Sequence, residues 1–382
     1  MELLSVELTN FLSYRQASIK LGALTALVGP NASGKSNVVA ALKLLSDIPK
    51  YGLQTALARR GGFDQLRHRS AGRGKPLDPS IAIDFRVHEG AGLSRYELRL
   101  GSMAGKRYTV KQERGRVNTD NGAFGFERQG EKLTFDGHWE GSHQVPNMPE
   151  DFRAPEGQSV LPITTIFGEL DAIWIFLQGF QIVEINPSLV RDFQEPSPTL
   201  DLEPDGSNSA SVLEQLPRTE RKQLLDELAA IVPGLIDVEP RHYSNKLTTL
   251  FTQQTGKKRK KFFAHQMSDG TLRAFATLLA VLQSRKKDLL VIEEPEAAIH
   301  LGALRTLVDI LRQHSEDLQI LITTHSADII DALSVEDLRV VWTEEGASHV
   351  APLAEHTQET LRSGLITPGE LLRADALDPV ER

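Results

Sequence analysis

The chain has 382 residues, of which 40% are hydrophobic and 25% are charged, and its formal net charge is −8. This composition is typical of a globular protein with enough apolar residues for a sizeable core. The absence of cysteine excludes a disulfide framework, a thiolate nucleophile and a cysteine-based zinc site.

The acidic balance excludes a chain that is basic throughout, although a local basic patch is still compatible with nucleic-acid binding. The N-terminal segment has no basic region followed by an apolar run, so we expect no signal peptide. The longest apolar stretch, residues 173–185, is shorter than the roughly 20 residues that span a bilayer. We therefore expect a cytoplasmic protein that does not enter a membrane.

The first third of the chain is predicted to be rich in strands. Short apolar segments predict strands at 2–9, 15–20 and 24–28, and the third leads directly into a glycine-rich loop. A helix is predicted from Lys35 to about Ser46, because its apolar residues recur at helical spacing. Four further segments separated by Gly-rich turns predict antiparallel strands: 80–88, 94–101, 106–113 and 122–139.

The middle of the chain is predicted to contain loops and helices. A loop is predicted at 140–160, and helices are predicted at 168–179 and 208–231. Residues 246–254 and 260–265 then predict a hairpin whose tip carries the basic run Lys257–Lys261. That run is either a contact for DNA phosphates or a solvated hairpin tip.

The last third alternates helices and strands, which predicts a parallel sheet with crossover helices. The predicted helix and strand pairs are 270–284 and 288–292, 301–314 and 318–323, and 326–333 and 338–343. We divide the α/β chain into residues 1–140 with the glycine-rich loop and antiparallel strands, an inserted loop-rich and helical subdomain at 141–245, and residues 246–382.

Residues 29–36 match G-x-x-x-x-G-K-[ST] at every fixed position, and they lie between a predicted strand and a predicted helix. Backbone N–H groups in such a loop form a concave site for phosphates. Lys35 is expected to reach the β- and γ-phosphates of ATP, and Ser36 to give its hydroxyl to Mg²⁺. The alternative is a structural turn into a helix. The nucleotide-binding residues predicted here are Gly29, Pro30, Asn31, Ala32, Ser33, Gly34, Lys35, Ser36 and Asn37.

The buried strand predicted at 288–292 is followed by Glu293-Glu294-Pro295-Glu296. Carboxylates at the carboxyl end of a parallel strand lie where such sheets bind ligands. We predict that Glu293 holds the hydrated Mg²⁺ and that Glu294 orients and deprotonates the attacking water. An acidic loop facing solvent is the alternative.

His325 follows the next predicted strand, one β-α-β step after Glu294. It is placed to bond the γ-phosphate and to couple it to Glu294, although a lone histidine is more often structural. The predicted catalytic residues are therefore Lys35, Glu294 and His325. Upstream, Ser268 and Gly270 precede a helix and form either an anion-binding end or a plain N-cap.

Four segments in this order resemble the ATP-binding-cassette class of P-loop ATPases, and in particular the AAA_21 group of predicted bacterial ATPases among SMC, RecF and OLD proteins. GPNASGKS resembles the Walker A motif, and QMSDGTLR resembles the signature motif in an SDGT form. LLVIEEPEAAIH resembles Walker B with its catalytic Glu and D-loop, and TTHS resembles the switch-histidine loop. VELTNFLSYRQASI resembles the opening strand pair of that group.

The resemblance implies a homodimer formed on ATP binding, in which Ser268 and Gly270 of one subunit cap the ATP held by Lys35 of the other. Glu293 stands where many relatives have Asp, and His300 occupies the usual D-loop Asp position. The glutamine of the Q-loop is not identifiable, and Gln54 and Gln65 are its candidates.

Two functions follow from the resemblance. The first is an ATPase that acts on DNA in repair or anti-phage defence, where it controls a separately encoded effector protein. The second is a nucleotide-gated switch that regulates such an effector without direct action on DNA. A transporter subunit is disfavoured by the SDGT signature and by the long insertion between Lys35 and Ser268.

Overall fold

A computed structural model describes residues 1–69, 77–103, 107–137, 153–199, 201–284, 287–374 and 376–380. Within these ranges the strands are β1 (Glu2–Phe11), β2 (Tyr14–Lys20), β3 (Leu24–Val28), β4 (Ser80–Arg86), β5 (Ser94–Ser102), β6 (Tyr108–Thr119), β7 (Gly122–Gln129), β8 (Lys132–Gly137), β9 (Phe180–Val183), β10 (Leu235–Tyr243), β11 (Lys246–Thr255), β12 (Lys258–Phe263), β13 (Leu289–Glu293), β14 (Gln319–Thr324), β15 (Leu338–Glu344) and β16 (Ala347–Pro352).

The α-helices in the same ranges are α1 (Lys35–Tyr51), α2 (Leu53–Ala58), α3 (Leu161–Thr164), α4 (Asp171–Gln178), α5 (Pro187–Arg191), α6 (Ser209–Gln215), α7 (Arg218–Ile231), α8 (Asp269–Gln283), α9 (Leu301–His314), α10 (Ala327–Ala332), α11 (Glu355–Arg362) and α12 (Pro368–Arg373). Short 3₁₀-helices lie at Phe63–Gln65, Gly168–Leu170, Ala264–Gln266 and Val335–Asp337. No helix in the described part of the chain is both long and apolar enough to cross a bilayer.

The central sheet has six strands in the order β16-β15-β3-β14-β13-β9. Strands β15, β3, β14, β13 and β9 run parallel, and β16 pairs antiparallel with β15. Strands β3, β13 and β14 are buried on both faces, which explains why they read as continuous apolar runs. Their carboxyl ends therefore meet at one edge of the sheet.

The side chains of the central strands alternate between two apolar cores. Ala26, Ile292 and Ile322 pack in the core that contains α8 and α9. Leu27 and Leu321 point to the opposite face, into the core shared with α1 and the antiparallel strands. The central sheet is thus held between two layers, as the period of two along a strand requires.

The antiparallel strands of the first third form one seven-stranded sheet in the order β2-β1-β4-β5-β6-β7-β8. A third sheet has the order β10-β11-β12 and packs next to α6 and α7. The predicted α/β fold, with a mixed central sheet and an N-terminal antiparallel region, is confirmed.

Several predicted elements differ in detail from the structure. The strand predicted at 122–139 is two strands, β7 and β8, because Gly130 adopts a φ of 59° and turns the chain. The helix predicted at 208–231 is two helices, since Pro217 lies between α6 and α7. The predicted hairpin gains a third strand, β10, and β16 was not predicted. Residues 140–152 of the predicted loop lie outside the described residues.

The proposed division at residues 141–245 separates strands that are hydrogen bonded to each other. Strand β9 lies in that segment and pairs with β13 in the central sheet. Strand β10 also lies there and pairs with β11. Helices α3 to α7 fall in the same segment, and the division into three parts stays a prediction.

Candidate nucleotide site

The glycine-rich loop connects β3 to α1, and its backbone passes very close to two other parts of the chain. A Cβ on Gly29 would lie 2.1 Å from the carbonyl oxygen of Val341, and one on Gly34 would lie 2.4 Å from Ser348 Oγ. Gly34 also has a φ of 114°, in the region where side chains are strained. These two positions therefore require glycine, as the pattern predicts.

Lys35 lies in the first turn of α1 and folds back over the loop. Its Nζ donates to the carbonyl oxygens of Gly29 and Pro30, each at 2.8 Å. Burial lowers the pKa of Lys35, while the charges of Glu294 and Glu296 act in the opposite direction. The Oγ of Ser33 is buried in the same loop without a hydrogen-bond partner. A cation held by neutral carbonyls beside an unpaired hydroxyl fits an anionic ligand such as a triphosphate.

The loop is supported from behind by the tip of the β1–β2 hairpin. Tyr14 donates its hydroxyl to the carbonyl of Gly34 at 3.1 Å. Ser13 Oγ accepts from Asn37 Nδ2 at 2.6 Å and from Ser348 Oγ at 2.7 Å. Asn37, predicted to bind nucleotide, therefore has its amide engaged by the hairpin. The N-terminal strand pair thus orients the glycine-rich loop.

The register of the central sheet brings the predicted catalytic segments together. Glu293 at the end of β13 pairs in register with Thr323 of β14, and Thr324 pairs with Val28 of β3. The residues that follow these strands share the edge where the glycine-rich loop begins. This edge is the usual ligand position of a parallel sheet.

Glu294 and His325 face each other across that edge. His325 Nδ1 lies 3.6 Å from Glu294 Oε1, and the two side chains are 44% and 46% exposed respectively. Glu294 has a φ of 45°, an unusual conformation for a residue other than glycine, and its N–H donates to the carbonyl of Thr323 at 3.1 Å. Strain of this kind is found where a side chain must be aimed at a ligand.

Glu296 accepts hydrogen bonds from Thr324 and His325 and so holds the segment that carries the histidine, a role that sequence reasoning missed. Its Oε1 accepts from Thr324 Oγ1 at 2.6 Å and from the backbone N–H of His325 at 3.3 Å. The side chain is only 7% exposed. The signal in the sequence was a third carboxylate two residues after Glu294.

Lys43 pairs with both Glu293 and Glu184, and sequence reasoning missed Lys43 and Glu184. Lys43 Nζ, from α1, lies 2.8 Å from Glu293 Oε1 and 3.4 Å from Glu184 Oε2. Glu184 follows β9, the strand that pairs with β13. The two Q-loop candidates stay predictions: Gln54 is exposed on α2, and Gln65 ends a 3₁₀-helix. The signal was the position of Lys43, about two helical turns after Lys35.

The predicted magnesium ligands are Ser36, exposed in the first turn of α1, and the buried Glu293. A hydroxyl and a carboxylate are oxygen donors of the kind that Mg²⁺ prefers. Within the described ranges, no group of three or more His, Asp or Glu side chains is placed to hold a metal ion. Few protein ligands are expected for Mg²⁺, which binds largely through substrate phosphates.

The predicted signature segment lies at the surface. Ser268 is exposed and caps α8, because its Oγ accepts from the N–H of Thr271 at 3.2 Å. A Cβ on Gly270 would lie 2.2 Å from the carbonyl oxygen of Ala298, so this position also requires glycine. Burial lowers the pKa of Arg273 on the same helix, and the charges of Glu294 and Glu296 oppose that shift. Helix α8 therefore begins close to Glu294 and Glu296 of its own chain.

Comparison with known proteins identifies a family and a fold. The model of the AAA_21 family, described as "AAA domain, putative AbiEii toxin, Type IV TA system", matches residues 24–331. No curated protein matches the chain.

Three solved structures of SMC heads share the fold. A head bound to the C-terminal winged-helix domain of ScpA has 16% identity and a TM-score of 0.61, covering 93% of this chain and 99% of its own. A Pyrococcus furiosus head with an extended coiled coil, bound to the C-terminal domain of ScpA, has 13% identity and a TM-score of 0.59, covering 95% and 99%. A Pyrococcus yayanosii head with a coiled coil and joint has 13% identity and a TM-score of 0.56, covering 95% and 99%. They confirm the predicted ABC-type architecture.

Proposed function

Since this chain belongs to the AAA_21 family, we propose that it binds and hydrolyses ATP in a head-to-tail homodimer. The observation that carries this proposal is the half-exposed Glu294 carboxylate, held in a strained turn 3.6 Å from His325. Its charge also acts on Lys35 in the glycine-rich loop. A base and a phosphate-binding cation thus share one edge of the sheet.

The roles of the side chains follow from their positions. Lys35 leaves the carbonyls of its own loop and binds the β- and γ-phosphates. Glu294 accepts the proton of the attacking water, and His325 bonds the γ-phosphate and orients Glu294. Glu296 positions His325 through Thr324 and through the backbone. Magnesium, held by Ser36 and Glu293, would neutralise charge on the phosphates.

The exposure of the signature segment supports the dimer. Ser268 and Gly270 open a 15-residue helix whose first N–H groups attract anions. The chain already has an anion site at the N-terminus of α1. The N-terminus of α8 is a second such site at the surface, and in the dimer it would complete the nucleotide site of the other copy.

A basic surface supports action on DNA. Residues 257–261 are exposed at and beside β12, an edge strand that pairs with β11 in the described sheet. Lys261 pairs with Glu239 at 3.2 Å, whereas no ion pair within 4 Å joins Lys258, Arg259 or Lys260 to another described residue. Lys258 and Lys260 lie on one face of the strand and Arg259 on the other, and exposed cations without partners suit phosphate neutralisation.

Aromatic side chains continue this surface towards the signature segment. The rings of Phe193 and Tyr243 lie 5.7 Å apart, and those of Phe263 and His265 are stacked at 5.8 Å. Tyr243 is 65% exposed, which leaves ring area for a nucleobase. Phe262 instead packs on the core. The roles in repair or anti-phage defence, and the control of an effector protein, belong to the same proposal.

Glu294→Gln tests the catalytic assignment. Loss of the general base is expected to slow phosphate release about 10²–10⁴-fold. ATP binding is retained, so the variant accumulates as an ATP-bound dimer in light scattering. Lys35→Ala is the matched control, since it loses nucleotide binding and stays monomeric with ATP. Normal turnover by Glu294→Gln would exclude Glu294 as the base, and a strictly monomeric ATP-bound state would exclude the dimer.

Replacing Lys258, Arg259 and Lys260 together by Gln tests the DNA assignment. The affinity for DNA falls as salt rises, and each lost phosphate contact makes the slope of log affinity against log salt less steep by about 0.9. The loss of three cations should therefore make the slope less steep by about 2–3. Fluorescence anisotropy with duplex DNA measures it. The control replaces the exposed Lys20, Lys132 and Lys222 by Gln, which gives the same net charge. Equal slopes in the two variants, or ATPase turnover that DNA leaves unchanged, favour the nucleotide-gated switch that acts on an effector alone.

A further inference from the structure

A cavity of about 500 Å³ lies beside the nucleotide site, between α1, the edge strand β9, residue 199 and residues 201–204. The buried side chains of Phe180, Ile182 and Leu202 contribute apolar lining. A volume of this size is in the range of small-molecule sites. The catalytic roles given above do not use this cavity.

The cavity lining carries more positive than negative charge. Three carboxylates, those of Asp47, Asp201 and Glu203, lie among the lining residues. Five cations line it, two more than the carboxylates (five minus three): Lys43, Lys50, Arg59, Arg60 and Lys287. Lys43 is paired with Glu293 and Glu184, which do not line the cavity, so its charge is already balanced. A phosphomonoester carries a charge of about −1.5 to −2 at neutral pH, and the cations of this lining are the groups that would meet it.

Lys50 is the cation that lacks a partner. Arg60 pairs with Asp47 at 2.9 Å, and Lys287 pairs with Asp201 at 3.2 Å. No carboxylate of the described chain lies within 4 Å of Lys50, which is exposed. Its pKa is lowered by desolvation and by repulsion from Lys287, while Asp47, Asp201 and Glu203 act in the opposite direction. An anion in the cavity would relieve both effects.

The rim of the cavity suits a ligand with a body as well as a phosphate. The guanidinium of Arg59 lies over the ring of Tyr51, 4.5 Å from its centroid. Together with the buried apolar wall, this pair forms surfaces on which a ring can stack. Inorganic phosphate alone would leave these surfaces unused.

Lys43 connects the cavity to the nucleotide site. It lines the cavity, and its Nζ is bonded to Glu293 Oε1 at 2.8 Å. Glu293 is buried, so it needs a nearby positive charge. Bound magnesium would supply positive charge to Glu293, so Glu293 would depend less on Lys43, whose ammonium would be free to turn into the cavity.

We propose that this cavity binds a small phosphorylated molecule with a ring-shaped body, and that Lys43 couples its binding to that of the magnesium nucleotide. The coupling rests on the proposed function, whereas binding to the cavity does not. Because linkage is reciprocal, the ligand strengthens magnesium–nucleotide binding by the same factor.

Calorimetric titration of the nucleotide-free full chain with phenyl phosphate tests the cavity. We expect one saturable site that Lys50→Gln weakens about tenfold, as loss of a charge-assisted contact predicts. Lys222→Gln, an exposed lysine on α7, is the control and should bind normally. If Lys50→Gln does not fold, Arg59→Gln replaces it in the experiment and is likewise expected to weaken the binding of phenyl phosphate. Absence of saturation, or equal affinity of the Lys50 and Lys222 variants, would overturn the site.

Two other probes separate the parts of the ligand. Inorganic phosphate should bind more weakly than phenyl phosphate, because it lacks the ring, and phenol should bind more weakly because it lacks the charge. Phenol binding as tightly as phenyl phosphate would refute an anion site. Inorganic phosphate binding as tightly would refute a site for a ring-bearing ligand.

Repeating the titration with Mg²⁺ and a non-hydrolysable ATP analogue tests the coupling. Phenyl phosphate should then bind about fivefold more tightly, and Lys43→Gln should abolish that difference. Unchanged affinity in the native chain would contradict the coupling. If the analogue itself does not bind, the proposed function fails, and the nucleotide-free titration still decides the cavity.

Discussion

The Glu113–Arg128 cluster of the antiparallel sheet and the carboxylates beside the glycine-rich loop satisfy their charges in opposite ways. Glu113 is fully buried and accepts from Tyr96, Ser159 and the N–H of Val160. Arg128 is 1% exposed and donates to three backbone carbonyls, of residues 130, 155 and 158. These buried charges are satisfied by the protein itself.

The carboxylates of the nucleotide site are not fully hydrogen bonded within the described chain. Glu294 is half exposed, with His325 Nδ1 at 3.6 Å, and the buried Oε2 of Glu296 has no hydrogen-bond partner in the described chain. Ser33 Oγ in the loop is also unpaired. A charged cluster that is complete by itself stabilises a fold, whereas an incomplete cluster at a sheet edge indicates a binding site.

Glu113→Gln should break the complete cluster and has the larger expected effect. An amide cannot accept all three hydrogen bonds and leaves the buried Arg128 without its carboxylate. We expect a loss of about 3 kcal/mol in the free energy of unfolding, measured with urea. Nucleotide affinity of the folded fraction should not change. Glu127→Gln, in the exposed ion pair with Arg114, is the control and should alter stability little.

If Glu113→Gln proves as stable as Glu127→Gln, the buried cluster is not a structural anchor. A loss of nucleotide affinity in the folded Glu113 variant would instead show that the two clusters are coupled. Either result would break the distinction between them.

Thr324→Val should sharpen the comparison at the nucleotide site. It removes the hydroxyl that donates to Glu296 Oε1 and should cost about 1.5 kcal/mol of stability. Because Glu296 also holds the backbone of His325, kcat should fall several-fold while ATP affinity is retained. Thr277→Val is the matched control, since Thr277 Oγ1 is buried on α8 and has no partner to lose. Equal stability and turnover in both variants would show that Glu296 does not position His325.

Local patterns in the sequence determined much of this protein. Strands β3, β13 and β14 are buried on both faces, so their apolar runs are distinctive without knowledge of neighbours. Helix α9 lies at the predicted residues 301–314 because its apolar spacing and its His300 cap are both local. The glycine-rich loop was identified because its glycines meet steric needs that any loop of this pattern shares.

Contacts between distant residues were decided only by the tertiary structure. Lys43 and Glu293 are 250 positions apart, and Thr324 meets Glu296 only because β14 pairs with β13. Strand β9 directly follows the helix predicted at 168–179 and was not identified, since its four residues are too few to show a period. A sequence specifies which short segments become strands and helices, but the charges that face each other depend on strand order and register, which no single segment contains.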